Sequence, residues 1–409
     1  MNQMKSFLQF LAVCMLVVLL TGCTEQEEHR VVVCVPVYGQ SLALGEEAEL
    51  LTNLDSLVEK SEGRIVTQRL DHDFGYFDNS RLKEWGKRLV GYRERSFELS
   101  VYAMAELLCR NLGPDTLICV FPGGKGTTPY SSICKGTEPY QRLLDDIQMA
   151  CKAAKKRGWD FLVPAVCWMH GESDMADHTG IDYKQALWQF SRDVDEDVRR
   201  LIGQDSPVRT VCYQTNQLTR AHGVDLSAFS CPETTVPQGQ MELVRDDTLF
   251  WASSPVYPFT FAHEGIHLDG TGQRQIGLRA GASVLAMLRH QPRHSGLVPR
   301  GVSIEDSTVV ISFRVPCPPL QIDTVQVATA RCYGFSVVTA EGEEIARHAC
   351  VGDSTVRILC TEIPENCKVR YAVNGTIPKT GPKAGPRGNL HDSQLVPNWC
   401  YQFDWLLKR

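Results

Sequence analysis

Ser41 and His267 are the two side chains of this 409-residue sequence whose types and setting best suit nucleophilic chemistry. Ser41 closes the block Tyr38-Gly39-Gln40-Ser41, directly after an apolar run, so its hydroxyl falls on a strand-to-loop turn. Gly39 lets the backbone turn tightly there. Taken alone, the block also reads as an ordinary Gly/Ser turn. His267 ends Glu264-Gly265-Ile266-His267. A serine hydroxyl needs a base to take its proton, and imidazole, with an unperturbed pKa of about 6.5, is suited to that work. The imidazole needs a carboxylate to hold its tautomer and stabilise its charged form. Glu264, three residues earlier, can project from the same loop. The chemistry implied is attack on a carbonyl carbon followed by acyl transfer to water.

Two further blocks end apolar runs. Trp168-Met169-His170-Gly171-Glu172-Ser173-Asp174 puts a charged cluster where a strand that merely packs would not carry one. Pro122-Gly123-Gly124-Lys125-Gly126-Thr127-Thr128 offers glycine N–H groups to a developing oxyanion. Its spacing is not that of a phosphate-binding loop. A rival chemistry is spelled by His263-Glu264-Gly265-Ile266-His267, an H-E-x-x-H pattern that would make the chain a zinc hydrolase. That pattern needs a helix and a third ligand. Gln273 stands where a third histidine would, and Gly265, Gly270 and Gly272 disfavour a helix. The serine reading is preferred, with no metal and no cofactor.

The elements that must position these blocks are legible in the apolar pattern. Strands are expected at 31–37, 116–121, 161–168 and 208–213, and helices near 81–111, 138–157, 182–203 and 271–290. Strands apolar throughout and separated by helices imply a parallel sheet covered on both faces, a doubly wound α/β domain over 30–291. Ligands bind beyond the carboxyl ends of such strands, where the four blocks fall. The Pro- and Gly-rich stretch 292–301 reads as a linker. Beyond it, over 302–409, the period changes to two. Segments 308–313, 324–328, 335–339, 356–359, 369–373 and 399–405 suggest a small all-β sandwich. Within it, Arg387 to Ser393 could bind sugar or form a well-bonded turn, and the turn is preferred. The insert-like stretch 214–247 and the loop 61–80 are expected to shape the pocket.

The first 22 residues stand apart from the fold. Lys5 and the short apolar run from Phe7 to Leu20 fit a secretion signal, too short for a stable membrane span. Leu20-Thr21-Gly22-Cys23 resembles the bacterial lipobox, which implies lipidation of Cys23 and an exported, outer-membrane or cell-surface lipoprotein. Residues 23–29 form an acidic tether. The formal charge of -6 and the pI near 6.0 argue against nucleic acid as a partner. Sixteen cysteines, scattered and without zinc spacing, are expected to be mostly buried thiols.

Taken in order, the four blocks resemble the SGNH esterase superfamily, and more closely its sialate O-acetylesterase and carbohydrate esterase family 6 branch. Gly39-Gln40-Ser41 matches the Gly-Gln-Ser block of that branch. Trp168 to Asp174 matches Trp-x-Gln-Gly-Glu-x-Asp except that His170 replaces the glutamine. Glu264 to His267 matches Asp-x-x-His with a glutamate for the aspartate. The resemblance covers about residues 30–290. It implies a flavodoxin-like three-layer α/β/α fold and the removal of acetyl or similar groups from sugars. Carried over, Ser41 is the nucleophile and His267 the base. The oxyanion hole comes from Ser41, a glycine (Gly126 ahead of Gly124) and His170, and Gln40 and Asp174 contact substrate. Glu264 is preferred to Glu172 as the acid behind His267. A catalytically weak carbohydrate-binding protein is the alternative that the His170 departure raises.

Overall fold

The structure is a computed structural model that describes residues 29–77, 97–177, 179–216, 225–263, 265–375 and 379–407. The signal, Cys23 and Glu264 therefore lie outside the described residues, as does most of the first half of the helix expected at 81–111. The first part of the chain runs β1 (Val31–Gly39), α1 (Leu54–Lys60), β2 (Ile65–Gln68), β3 (Phe74–Gly75), α2 (Ser100–Asn111) and β4 (Thr116–Gly124). There follow α3 (Glu138–Lys156), β5 (Asp160–Leu162), β6 (Ala165–Met169), α4 (Glu172–Ala176) and α5 (Tyr183–Ile202). β7 (Arg209–Gln214), α6 (Thr235–Asp246), β8 (Phe250–Pro255) and α7 (Gly270–Leu288) complete it.

β1 lies at the centre because its β-branched run is buried on both sides, Val32 to Val37 having almost no exposure. It pairs in parallel with β4 on one side and with β5 and β6 on the other. The sheet order is β3-β2-β4-β1-β6-β7-β8, parallel apart from the short β2–β3 pair. From β1 the chain crosses to β2 and β3, returns to β4 beside β1, and then passes to β6, β7 and β8 on the other side. β1 therefore lies where the winding changes direction, the switch point beyond whose carboxyl end ligands bind in such sheets. Helices α2 and α7 pack on each other and against the sheet, while α3, α5 and α6 pack side by side and against it. Local signals set the helix ends: Asp182 caps α5 through the N–H of Gln185, and Gly203, left-handed, stops it.

The remainder is antiparallel: β9 (Val298–Glu305), β10 (Thr308–Arg314), β11 (Leu320–Ile322), β12 (Phe335–Val338), β13 (Ala346–Val351), β14 (Thr355–Cys360), β15 (Lys368–Tyr371), β16 (Leu390–Asp392) and β17 (Phe403–Leu406). They form three small sheets, β13-β14-β10-β9, β11-β16 and β12-β15-β17. Two expectations need correction. The expected linker is not loose: residues 298–301 already belong to β9, and the Arg293 guanidinium donates to the carbonyls of Val244, Arg245, Asp247 and Phe250. Residues 324–328 are not a strand, because Asp323 and Asn389 draw their backbone into a bend. The Asp323 carboxylate accepts from the Val327 N–H at 2.8 Å, and the Asn389 amide donates to the Val327 carbonyl at 3.1 Å.

The two parts are joined by buried polar side chains. Gln214, fully buried, donates to the carbonyls of Pro237 and Gln402 and accepts from the N–H of Gln402. Arg370, also fully buried, donates to the carbonyls of Leu226, Ala228 and Phe229 and pairs with Asp404 at 3.1 Å. Ten of the fourteen described cysteines are buried free thiols, the small-hydrophobe role expected of them. Among the described residues no helix is long and apolar enough to cross a membrane.

Candidate functional site

Ser41 sits at the switch point, in a turn of residues 41–47 that begins one residue after β1. The end of β1 is pressed between its neighbours: Gly39 pairs with Gly124 on one side and Met169 on the other. A Cβ on Gly39 would stand 1.9 Å from the Met169 carbonyl oxygen, and one on Gly124 1.9 Å from the Gly39 carbonyl. Both positions require glycine, Gly124 also through its φ of +112°. The turn then closes on itself, the Ser41 carbonyl accepting from the N–H groups of Leu44 and Glu46 at 3.1 Å each. Gln273, fully buried in α7, donates to the Leu42 carbonyl at 2.8 Å and holds the turn from behind.

His267 comes from the other end of the sheet, in the loop after β8. Residues 261–268 leave and rejoin at an antiparallel bridge between Phe261 and Leu268, with the Ala262 N–H donating to the His267 carbonyl at 2.8 Å. Asp269 fastens the end of this loop, accepting from Thr260 and from the Gly272 N–H at 2.7 Å each, which also caps α7. Thr380 donates to the Gly265 carbonyl at 2.6 Å and fastens it from the antiparallel part. The described residues 263 and 265–267 are turn and bend, so His263 and His267 do not share a helical face as the zinc pattern requires. Among the described residues no group of His, Cys, Asp or Glu side chains is placed to hold a metal ion.

A residue that the sequence reasoning missed joins the two halves of the site. Glu46, in the turn of Ser41, places its carboxylate 4.0 Å from Nε2 of His267, both side chains being largely covered. The same carboxylate abuts the block from Pro122 to Thr128: a Cβ on Gly126 would stand 2.8 Å from Glu46 Oε1. The Ser41 turn, the Gly126 loop and the His267 loop therefore meet around Glu46. Nothing in Gly45-Glu46-Glu47 separates this carboxylate from an exposed loop acid, so no local signal could have found it.

The block from Trp168 to Asp174 braces the site. The His170 ring is fully buried, with Nε2 2.9 Å from the Thr128 carbonyl and Nδ1 3.1 Å from the Tyr183 hydroxyl. Both nitrogens are thus engaged inside the protein rather than offered to an oxyanion, as had been expected. Burial holds the imidazole below its ordinary pKa, against the pull of nearby Asp174. Asp174, expected at the substrate, accepts from the Tyr130 N–H and the Thr179 hydroxyl at 2.8 Å each. Gln40 likewise turns its side-chain oxygen inward, to the N–H groups of Gly171 (3.4 Å) and Ser173 (3.3 Å). Glu172 accepts from the Tyr213 hydroxyl at 2.5 Å. Burial, with the Glu172 charge beside it, pushes that hydroxyl far above its ordinary pKa, so it remains a donor. One oxygen of Glu172 is therefore committed away from His267, while Glu264, its rival, lies outside the described residues.

No protein-family model and no curated protein sequence matches the chain. Solved structures do. A carbohydrate acetylesterase from Xanthomonas citri superimposes with a TM-score of 0.61 at 13% identity, over 91% of this chain and 80% of its own. The two share a fold. Looser likenesses are to NanS (TM-score 0.45, 15% identity, 64% of this chain and 99% of that one) and to a carbohydrate acetylesterase from Sinorhizobium meliloti (0.36, 12%, 63% and 99%). The fold class read from the sequence, a three-layer α/β/α arrangement followed by a small all-β part, stands. The stretch from Arg387 to Ser393, expected as a turn, contains β16, which pairs with β11, and is held by buried hydrogen bonds. The Asn389 side chain is fully buried against the Asp323 and Val327 carbonyls, and Asp392 accepts from the N–H groups of Cys317 and Asn398.

Proposed function

We propose that the chain is a serine esterase that removes acyl groups, acetyl foremost, from carbohydrate. The observation that carries this reading is the meeting of three loops around Glu46, which brings the Ser41 turn, the Gly126 loop and the His267 loop to one point at the sheet's switch. A fold shared with a carbohydrate acetylesterase supports the substrate class.

In the mechanism, Ser41 Oγ attacks the ester carbonyl and His267 takes its proton. The oxyanion is received by the backbone N–H groups of Ser41 and Gly126. His267 then protonates the departing sugar hydroxyl, and a water that it activates hydrolyses the acyl-enzyme. Glu264 is the acid that orients His267. Glu46, on the Nε2 side, stabilises the imidazolium once the serine proton has been transferred. Cys23 carries the lipid of an exported, membrane-anchored form, which a Cys23→Ala protein recovered in the soluble fraction would support and one unchanged in its partition would refute.

Acetate release from p-nitrophenyl acetate and acetylated glycans tests the mechanism, with and without a chelator. Chelator-resistant activity abolished in both Ser41→Ala and His267→Ala is the expected result. Activity indifferent to Ser41 would sink it.

A further inference from the structure

A pocket of about 740 Å³ lies where α7, the stretch from Gln291 to Ser295 and the antiparallel part come together. Its volume falls within the roughly 300–1,000 Å³ of ligand sites. Arg279 lines it from α7, Arg293 from the stretch that follows, and Arg314 from the end of β10. No Asp or Glu lines it with them. The three charges act on one another's surroundings. Burial, and after it the charge of Arg314, holds the Arg293 guanidinium below its ordinary pKa. Burial, aided by Arg279 and Arg293 and opposed by Asp392, brings His294 to about 4, so this lining residue is neutral at pH 7. Like charges gathered in one concavity repel, and an anion seated among them relieves that repulsion.

The hydrogen bonds of the three arginines leave their charge in place. Arg279 Nη1 donates to the carbonyls of Val396 (2.9 Å) and Pro397, and Arg314 Nη1 to the carbonyl of Arg245 (3.1 Å). Arg293 is held by the four carbonyls named above. All these acceptors are neutral. Nε and Nη2 of Arg279 and of Arg314 make no hydrogen bond among the described residues. The acids that reach these arginines are engaged elsewhere. Asp392, fully buried, accepts from the N–H groups of Cys317, Gln394 and Asn398 and from the Asn398 amide. Asp246 takes two hydrogen bonds from Arg245, and Asp247 pairs with Arg192. The rest of the wall is partly apolar, with Leu278 and Val396 both exposed.

A carboxylate offers two oxygens and one charge. A phosphate ester offers three terminal oxygens and close to two charges near neutral pH, which matches a set of guanidiniums better. We propose that this pocket binds a phosphate ester, its oxygens taking N–H groups of Arg279 and Arg314 and its hydrocarbon side lying against Leu278 and Val396. The site is independent of the esterase reading, since none of the residues assigned to the Ser41 and His267 chemistry lines it. Its occupant touches both parts of the chain and fastens their junction.

Calorimetric titration of the full chain with methyl phosphate, butyl phosphate and nitrate, at equal ionic strength and pH 7.5, tests the site. Methyl phosphate is expected to bind about tenfold or more tighter than nitrate, and butyl phosphate tighter again by about tenfold. Ala282 is exposed in the pocket lining on α7, so Ala282→Glu brings a carboxylate to the arginines. It should abolish phosphate binding while keeping the wild-type melting temperature, and Arg314→Gln should weaken binding about tenfold. Binding of no phosphate, methyl phosphate no tighter than nitrate, or binding untouched by both variants would overturn the proposal, and butyl phosphate no tighter than methyl would remove its hydrocarbon wall. Cosedimentation of wild type and Ala282→Glu with phosphatidylglycerol vesicles tells the two sources of the ester apart. Less of the variant on the vesicles assigns the site to a lipid headgroup, and equal partition with phosphate binding lost assigns it to a soluble ester.

Discussion

The turn that carries Ser41 is gripped by the sheet itself, Gly39 lying between Gly124 and Met169 with no room for a side chain, whereas the loop that carries His267 is fastened from outside by Thr380, 115 residues further along from Gly265. One partner is placed by backbone contact in the densest part of the molecule. The other is placed by local hydrogen bonds of its own loop and by one that reaches it from the antiparallel part. Rigid positioning of Ser41 thus comes with the strand geometry, while the position of His267 depends on an added structure. The two ends should accordingly fail in different ways.

The largest effect belongs to the nucleophile. Ser41→Ala is expected to lower kcat on p-nitrophenyl acetate by about 10⁴-fold or more while leaving the fold intact. A loss smaller than tenfold would break the comparison at its base. Gly39→Ala should instead fail as a protein, its Cβ 1.9 Å from the Met169 oxygen costing about 3 kcal/mol or more in denaturant unfolding. An unchanged midpoint would mean that the turn yields.

How much of this was legible in the sequence obeys the same division. The central strands were readable because Val32 to Val37 and their neighbours are apolar on both faces, and α3, α5 and α7 lie within a few residues of their expected bounds. β2 and β8 were not read as strands. Ile65 to Gln68 is short and half polar, and Phe250 to Pro255 ends in Ser-Ser-Pro. At the site, Ser41 and His267 declare themselves by type and local setting. The partners of His170, Gln40 and Asp174 do not, since which hydrogen bond a buried polar group makes is decided by what folds against it. Gln273 is the plainest case. In the sequence it marks the absence of a third metal ligand, and in the structure it supports the Ser41 turn.

The junction between the two parts predicts a pH dependence. Burial lowers the pKa of His294, in the stretch between α7 and β9, to about 4. Its folded pKa lies below the unfolded value of about 6.5, so on acidification the unfolded chain takes up a proton that the native state refuses. Stability is therefore full above about pH 6.5 and falls as the pH drops toward 4, by about 2 kcal/mol between pH 7 and pH 5 from this group alone. Urea unfolding at the two pH values, in wild type and His294→Gln, measures it. An equal slope in both proteins would dismiss the histidine as the cause.

The smallest effect sharpens the comparison most. Thr380→Val removes the hydrogen bond to Gly265 far from Ser41, and it should lower kcat about tenfold, equivalent to about 1.4 kcal/mol, with KM for p-nitrophenyl acetate little changed. Thr380→Ser should restore it. A drop in stability without a change in kcat would make Thr380 merely structural.

The buried amide of Gln214 has a consequence for biosynthesis. Its partners include the backbone of Gln402, so the β7 end of the sheet stays unfinished until nearly the whole chain has been made. The α/β part is therefore expected to gain its full stability only once the antiparallel part has been synthesised. Truncation before residue 402 leaves a buried amide short of partners, which costs about 1–3 kcal/mol for each unmet group. Such a fragment should aggregate rather than persist as a smaller active protein.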